Sequence, residues 1–142
     1  MMSVKRFSLS WLAASIVMFT ISYAWHGIVL NDFIRLNYPK SIFLVFAALM
    51  YIIIGFVVVK VVDTKTYDHL FTGQIMKGLV KGAFCGFVFF LIAIVVGISF
   101  SKATGIKHLA VDIAWQMIEQ GIGGVVVMMV YMATENSFFW KY

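Results

Sequence analysis

The sequence predicts an all-α fold: a polytopic transmembrane bundle of four helices, up-down antiparallel, with both termini on the cytoplasmic side. Three observations carry this reading. The composition is 63% hydrophobic and only 12% charged, about half the charge of a soluble domain. The apolar residues gather into four runs, each long enough to cross a hydrocarbon core of about 30 Å. Most of the Lys, Arg, Asp and Glu fall between those runs.

With 142 residues, the chain reads as a single transmembrane domain spanning 1–142. Helices are expected at about 7–31, 41–59, 78–101 and 109–134, with a cytoplasmic connection at 60–77. The first apolar run goes from Phe7 to Asn31. Lys5 and Arg6 precede it, and Ser22-Tyr23-Ala24 looks like a signal-peptide cleavage site. The run is too long for a signal-peptide core, so a retained span is expected. The second run is Ser41 to Val59, and Pro39 stops the turn before it, because proline cannot continue a hydrogen-bonded helix. The third is Gly82 to Ser101. The turns at 32–40 and 102–111 are short, which makes neighbouring helices antiparallel. Within the longer connection, Tyr67–Met76 is expected as a short amphipathic helix on the membrane surface.

The last run contains a carboxylate. The uncharged stretch after Glu119, Gln120 to Thr134, covers about 22 Å at helical rise and falls short of a span. Ile113 to Thr134 is long enough, and it takes Glu119 inside together with Gln116 and Gln120. An ionisable group at that depth is costly, and its default reading is functional.

Basic residues set the orientation. Lys5, Arg6, Lys60, Lys65, Lys77, Lys81 and Lys141 fall on one side, against Arg35, Lys40, Lys102 and Lys107 on the other. The positive-inside rule puts the richer side, with both termini, in the cytoplasm. Trp140 and Tyr142 then sit as anchors at the cytoplasmic interface. The net charge of +5 follows this membrane pattern and forms no single patch, which argues against a nucleic-acid partner.

The polar residues of the spans collect on two helices. At 100° per residue, Asp112, Gln116, Glu119, Gln120 and Gly123 share one face of the fourth helix. Ser8, Ser15, Ser22 and His26 form one stripe on the first. The second and third helices carry little besides Tyr51, Cys85 and Ser99, and read as scaffold. His26 lies about 10 Å toward the outer face from the centre of its span, between the levels of Glu119, about 7 Å, and Gln116, about 11 Å. If the two helices touch, His26 can meet both.

Glu119, His26, Gln116, Gln120 and Ser22 are thus the candidate proton-relay or ligand-binding set. A carboxyl alone in low dielectric favours its neutral form, whereas an imidazolium or several donors favour the charged one. A coupled His and Glu can pass protons near neutral pH. The plainer reading is that the carboxyl and glutamines hold helices together by hydrogen bonds, or contact a partner subunit. His26, Asp32, His108 and Asp112 have the ligand types for a divalent metal, but no standard motif joins them, and no metal or other cofactor is expected. Asp63, Asp68 and His69 read as a solvated face.

Gly78, Gly82 and Gly86 repeat every four residues, continued by Ala93 and Gly97. Small residues at that spacing let another helix approach closely, either within the chain or as a homo-oligomer or partner-subunit interface. Met128, Met129 and Met132 read as adaptable packing. The lone Cys85 excludes an intramolecular disulfide. There is no phosphate loop, GxSxG or CxxC, so an enzyme ranks behind two other classes: a small proton-linked transporter or permeation unit, and a non-catalytic accessory subunit of a larger membrane complex. "YAWHGIVLND" and "IAWQMIEQGI" echo each other, too briefly to make a repeat.

"YAWHGIVLNDF", "GLVKGAFCGFVFF" and "VDIAWQMIEQGIGG" resemble segments of small bacterial four-helix membrane proteins of unknown function. The resemblance implies the fold and a place in the bacterial cytoplasmic (inner) membrane. It implies no catalytic residue.

Overall fold

A computed structural model of the chain describes residues 3–66, 68–100 and 106–139. The regular structure among them is entirely helical: α1 (Val4–Ser22) continued by a π-helical segment (Tyr23–Val29), a 3-10 turn (Asp32–Arg35), α2 (Lys40–Asp63), a second 3-10 turn (Asp68–Leu70), α3 (Gln74–Phe100) and α4 (Ile106–Phe139). Among the described residues, four helices are long and apolar enough to cross a membrane. Trp140, Tyr142, Lys102 and Lys141 lie outside the described residues, as does Tyr67.

The helices start and stop for local reasons. Ser3 caps α1 by accepting a hydrogen bond from the Arg6 amide at 3.4 Å, which starts the helix before the apolar run begins. After Ser22 the helix widens, and the Leu30 amide reaches back to the Trp25 carbonyl at 2.8 Å. Asn31 then takes a left-handed conformation (φ 54°) that ends it, one that asparagine tolerates better than most residues. Pro39 stands immediately before α2. At the other end, α2 runs past Lys60 to Asp63, and the Thr64 hydroxyl donates to the Val61 carbonyl at 2.6 Å.

Contacts between helices follow opposite chain order. From α1 to α2, Lys60 lies over the Phe7 ring at one end and Lys40 over Tyr23 at the other. Between them Phe19 meets Tyr51 edge-on, and the Trp11 indole donates to the Ile52 carbonyl at 2.7 Å. From α1 to α4, the Arg6 guanidinium reaches the Thr134 carbonyl, Met18 packs on Gly123, and Trp25 stacks on Trp115. Ala14, Met18, Val58, Val59, Val62, Cys85, Val127 and Met128 form the buried core between them.

The closest approach joins α3 to α4. A Cβ on Gly78 would collide with the Gly124 carbonyl, one on Gly82 with the Gln120 carbonyl, and one on Gly86 with the Gln116 carbonyl. Gly124 presses reciprocally on the Gly78 carbonyl. The glycine stripe is therefore occupied inside the chain, backbone against backbone.

Among the described residues of the Tyr67–Met76 stretch no surface helix forms. Asp68 and His69 begin a 3-10 turn, Gly73 follows, and α3 is already under way at Gln74. Electrostatics explains the difference. Asp68 accepts hydrogen bonds from Lys77 and Lys81, both at 2.7 Å, and Lys81 also donates to the Thr64 carbonyl. Lys81 is only 7% exposed, so its charge is satisfied by folding the connection down onto α3. Asp68, expected on a solvated face, is the clamp.

Two predictions follow from this packing. Gly82→Leu should lower stability by at least about 1–3 kcal/mol, the usual cost of overpacking, measured by thermal unfolding in detergent. Gly73→Ala is its control: nothing lies within 4 Å of the added Cβ, and the change should stay within about 0.5 kcal/mol. Desolvation raises the Asp68 carboxyl, but the hydrogen bonds and charges of Lys77 and Lys81 outweigh it and hold the group below the usual carboxylate range. Its folded value is thus below its unfolded value. The clamp's stabilisation should be complete at neutral pH and fade as pH falls below about 4, through the folded value. Asp68→Asn should be less stable at pH 7 and show a flatter acid limb in the same melts.

Candidate functional site: a buried carboxyl beside an aromatic cavity

Glu119 is fully buried. The indole of Trp115, one turn earlier on α4, donates to its Oε2 at 3.1 Å. That indole is held in place by Trp25, which stacks on it with ring centres 4.1 Å apart and planes 11° from parallel. The Tyr51 hydroxyl from α2 and the Ser22 hydroxyl from the end of α1 flank the same carboxyl. Neither bonds to its second oxygen: Oε1 has no hydrogen-bond partner among the described residues. A buried acceptor without a partner forfeits about 1–3 kcal/mol, so this geometry is costly to stability.

Tyr51 and Ser22 have a second role. With Phe19, Tyr23, His26, Phe33, Phe43, Leu44 and Ala47 they line a partly open cavity of about 240 Å³ between α2, the top of α1 and the turn after it. The carboxyl thus stands next to the hydroxyls that form the cavity's polar wall.

His26 belongs to that wall but does not bond to Glu119. Its Nδ1 pairs with Asp32 Oδ2 at 3.0 Å, and both side chains are about one-third exposed, 34% and 38%. The π-helical segment and the 3-10 turn after it bring Asp32 back to the imidazole. His26 still shares the cavity wall with Ser22.

Gln116 and Gln120 contribute through the backbone. Their carbonyls are the surfaces on which Gly86 and Gly82 rest, and neither side chain bonds to Glu119 among the described residues. The Gln120 side chain is fully buried with both amide atoms unpartnered. Asp112 is half-buried away from any cluster, and the His108 side chain lies outside what is described. No three His, Cys, Asp or Glu side chains come together as a metal site among the described residues.

Three participants escaped the sequence reading. Tyr51 was assigned to a scaffold helix, yet it is the polar group of α2 that faces Glu119. Trp25 and Trp115 belong to none of the candidate sets read from the sequence. Their signal was the shared Ala-Trp pair in the two echoing segments, which antiparallel packing of α1 and α4 brings face to face.

No family model, curated protein or solved structure matches this chain. The resemblance to small bacterial membrane proteins therefore assigns no family, and function rests on the site.

Trp115→Phe preserves the stack and deletes the donor. It should cost about 1–3 kcal/mol and move the Glu119 carboxyl band to higher wavenumber in infrared difference spectra. Trp25→Phe, which leaves the indole N–H of Trp115 in place, should leave that band within a few wavenumbers of wild type.

Proposed function

We propose that the chain is a multi-pass protein of the bacterial cytoplasmic membrane, an up-down bundle with both termini in the cytoplasm, acting as a small proton-linked transporter or permeation unit. The excess of Lys and Arg at the 60–77 connection and the N-terminus supports the orientation. Large apolar side chains point outward along the helices, among them Ile16, Phe46, Ile53, Phe84 and Ile118, as lipid-facing surfaces require.

One observation carries the functional reading. The Glu119 carboxyl is enclosed by protein, has an oxygen free to accept, and adjoins the Tyr51 and Ser22 hydroxyls that line the cavity. His26 and Asp32 stand at the exposed edge of that cavity. Hydroxyls that can both donate and accept connect such an edge to a buried acid. A proton entering at the His26–Asp32 pair would pass to Glu119 by way of these hydroxyls. Ionisable groups inside a span serve proton and solute pathways in this way.

The accessory-subunit reading drew on the glycine stripe and the polar cluster to bind partner helices; of these, Gly78, Gly82 and Gly86 are covered by α4.

In proteoliposomes, wild-type protein should give a proton-linked flux that Glu119→Gln reduces at least tenfold with the fold retained. The carboxyl band of Glu119 should respond to proton flux in infrared difference spectra and vanish in Glu119→Gln. A band that never responds, with equal flux in both proteins, would discard the relay.

A further inference from the structure

The cavity beside Glu119 is walled mainly by rings. Phe19 meets Tyr51 edge-on at 5.9 Å, Tyr23 meets Phe33 tilted at 5.4 Å, and Phe33 meets Phe43 edge-on at 5.6 Å. The rings meet at steep angles rather than in stacks, and all of them line the one space. The chain itself shows what such rings hold. The Lys40 ammonium sits over Phe33 at 4.7 Å and over Tyr23 at 5.3 Å from the ring centres, and donates to the Tyr23 hydroxyl at 3.3 Å. An ammonium within about 6 Å of a ring centre is attracted by the ring's quadrupole, most strongly where water is excluded.

Charge points the same way. The lining includes no Lys or Arg. Glu119 lies behind Tyr51 and Ser22, and Asp32 lies at the edge, paired with His26. Lys40 stands at the rim, where an incoming cation would exchange with it for ring faces. The size is also selective. A cavity of about 150 Å³ accepts benzene, so about 240 Å³ admits one aromatic ring with a small substituted ammonium, or a compact tetraalkylammonium.

We infer that this cavity is a binding site for a small organic cation, a substituted ammonium held by the faces of Phe33, Tyr23 and Tyr51 on the side nearest Glu119. The inference rests on the reading of Glu119 as a charge site reached from the cavity. It adds the class of solute that a proton-linked unit built this way would handle: the positive charge arriving at the rings is balanced by the carboxylate that remains when Glu119 gives up its proton.

The test is equilibrium binding of tritiated benzyltrimethylammonium to the full chain in phosphatidylglycerol discs, with empty discs subtracted. Competitors are the unlabelled cation, the uncharged near-isostere 2-methyl-1-phenylpropan-2-ol, and phenylacetate. Saturable binding is expected, with the cation displacing at least tenfold better than the alcohol and phenylacetate not displacing at all. Phe33→Leu should weaken the cation about tenfold and the alcohol much less, in line with the loss of a desolvated cation–π contact. The comparison between competitors needs only wild-type protein, so a variant that fails to fold leaves the test intact. Absence of saturable binding, or equal displacement by the alcohol, overturns the inference.

Two further results separate this inference from the proton reading. A Glu119 band that responds to proton flux while no cation binds leaves the proton reading standing and removes the cation. Cation binding lost in Phe33→Leu but unchanged in Glu119→Gln upholds the ring site and removes Glu119 from it. A phosphatidylcholine headgroup offers the same ammonium chemistry. Adding that lipid to the discs leaves binding unchanged for a soluble solute, as expected here, and competes if the headgroup is the occupant.

Discussion

Where Gly78, Gly82 and Gly86 of α3 meet Gly124, Gln120 and Gln116 of α4, backbone touches backbone, and that contact leaves α4 little freedom to rotate. Side chains would hold the two helices at an ordinary interaxial distance and permit adjustment; missing side chains do not. With Gln116, Gln120 and Gly124 turned toward α3, Glu119 is carried round toward α1 and α2, where Ser22 and Tyr51 stand. The position of the carboxyl is thus a consequence of glycines on a different helix. The same contact explains why the two glutamines beside Glu119 act through their carbonyls.

The two ends of the bundle solve different problems. At the end holding Thr64 and Asp68, a nearly buried lysine is satisfied by a carboxylate and a carbonyl, so a charge is enclosed with its partners. At the other, the polar groups are only partly satisfied. Glu119 keeps an unpartnered oxygen, Trp25 an unpartnered indole N–H, and the helix changes to π geometry beside them. Satisfied networks make rigid structure, whereas incomplete ones and π segments concentrate where ligands or protons act. The buried Ser10 and Ser15 hydroxyls and the Gln120 amide are unpartnered too, so what sets the candidate site apart is an incompletely bonded acid beside a cavity.

The aromatic residues also divide by role. Phe7, Trp11 and Phe56 pack edge to face along α1 and α2 and fill space near Lys60. Tyr23, Phe33 and Phe43 do not fill theirs; they border a cavity, and Tyr23 and Phe33 share the Lys40 ammonium at its rim. The residue types are alike. The second group differs because the π segment, Asn31 and the following 3-10 turn bend the chain back over its own helix, and Phe33 comes to rest on Gly27.

By itself the sequence determined the number of helices, their apolar character and the enclosure of Glu119, because hydrocarbon length and the placing of charges are properties of composition along one dimension. It also singled out Gly78, Gly82 and Gly86, since a four-residue spacing is visible without a partner. It put Ser22 on one stripe of α1 with Ser15, which depends only on helical periodicity. Tertiary structure decided the rest. His26 paired with Asp32 because a π-helical segment and a 3-10 turn fold the chain back on itself, a local change that no residue pattern here announces. Tyr51 joined the site because α2 turns that face inward, and in so apolar a helix the periodicity that would reveal a face is absent. Asp68 became a clamp because Lys77 and Lys81 meet it in space. Rotation about a helix axis, unlike position along it, is fixed by neighbours, and the site is built from rotations.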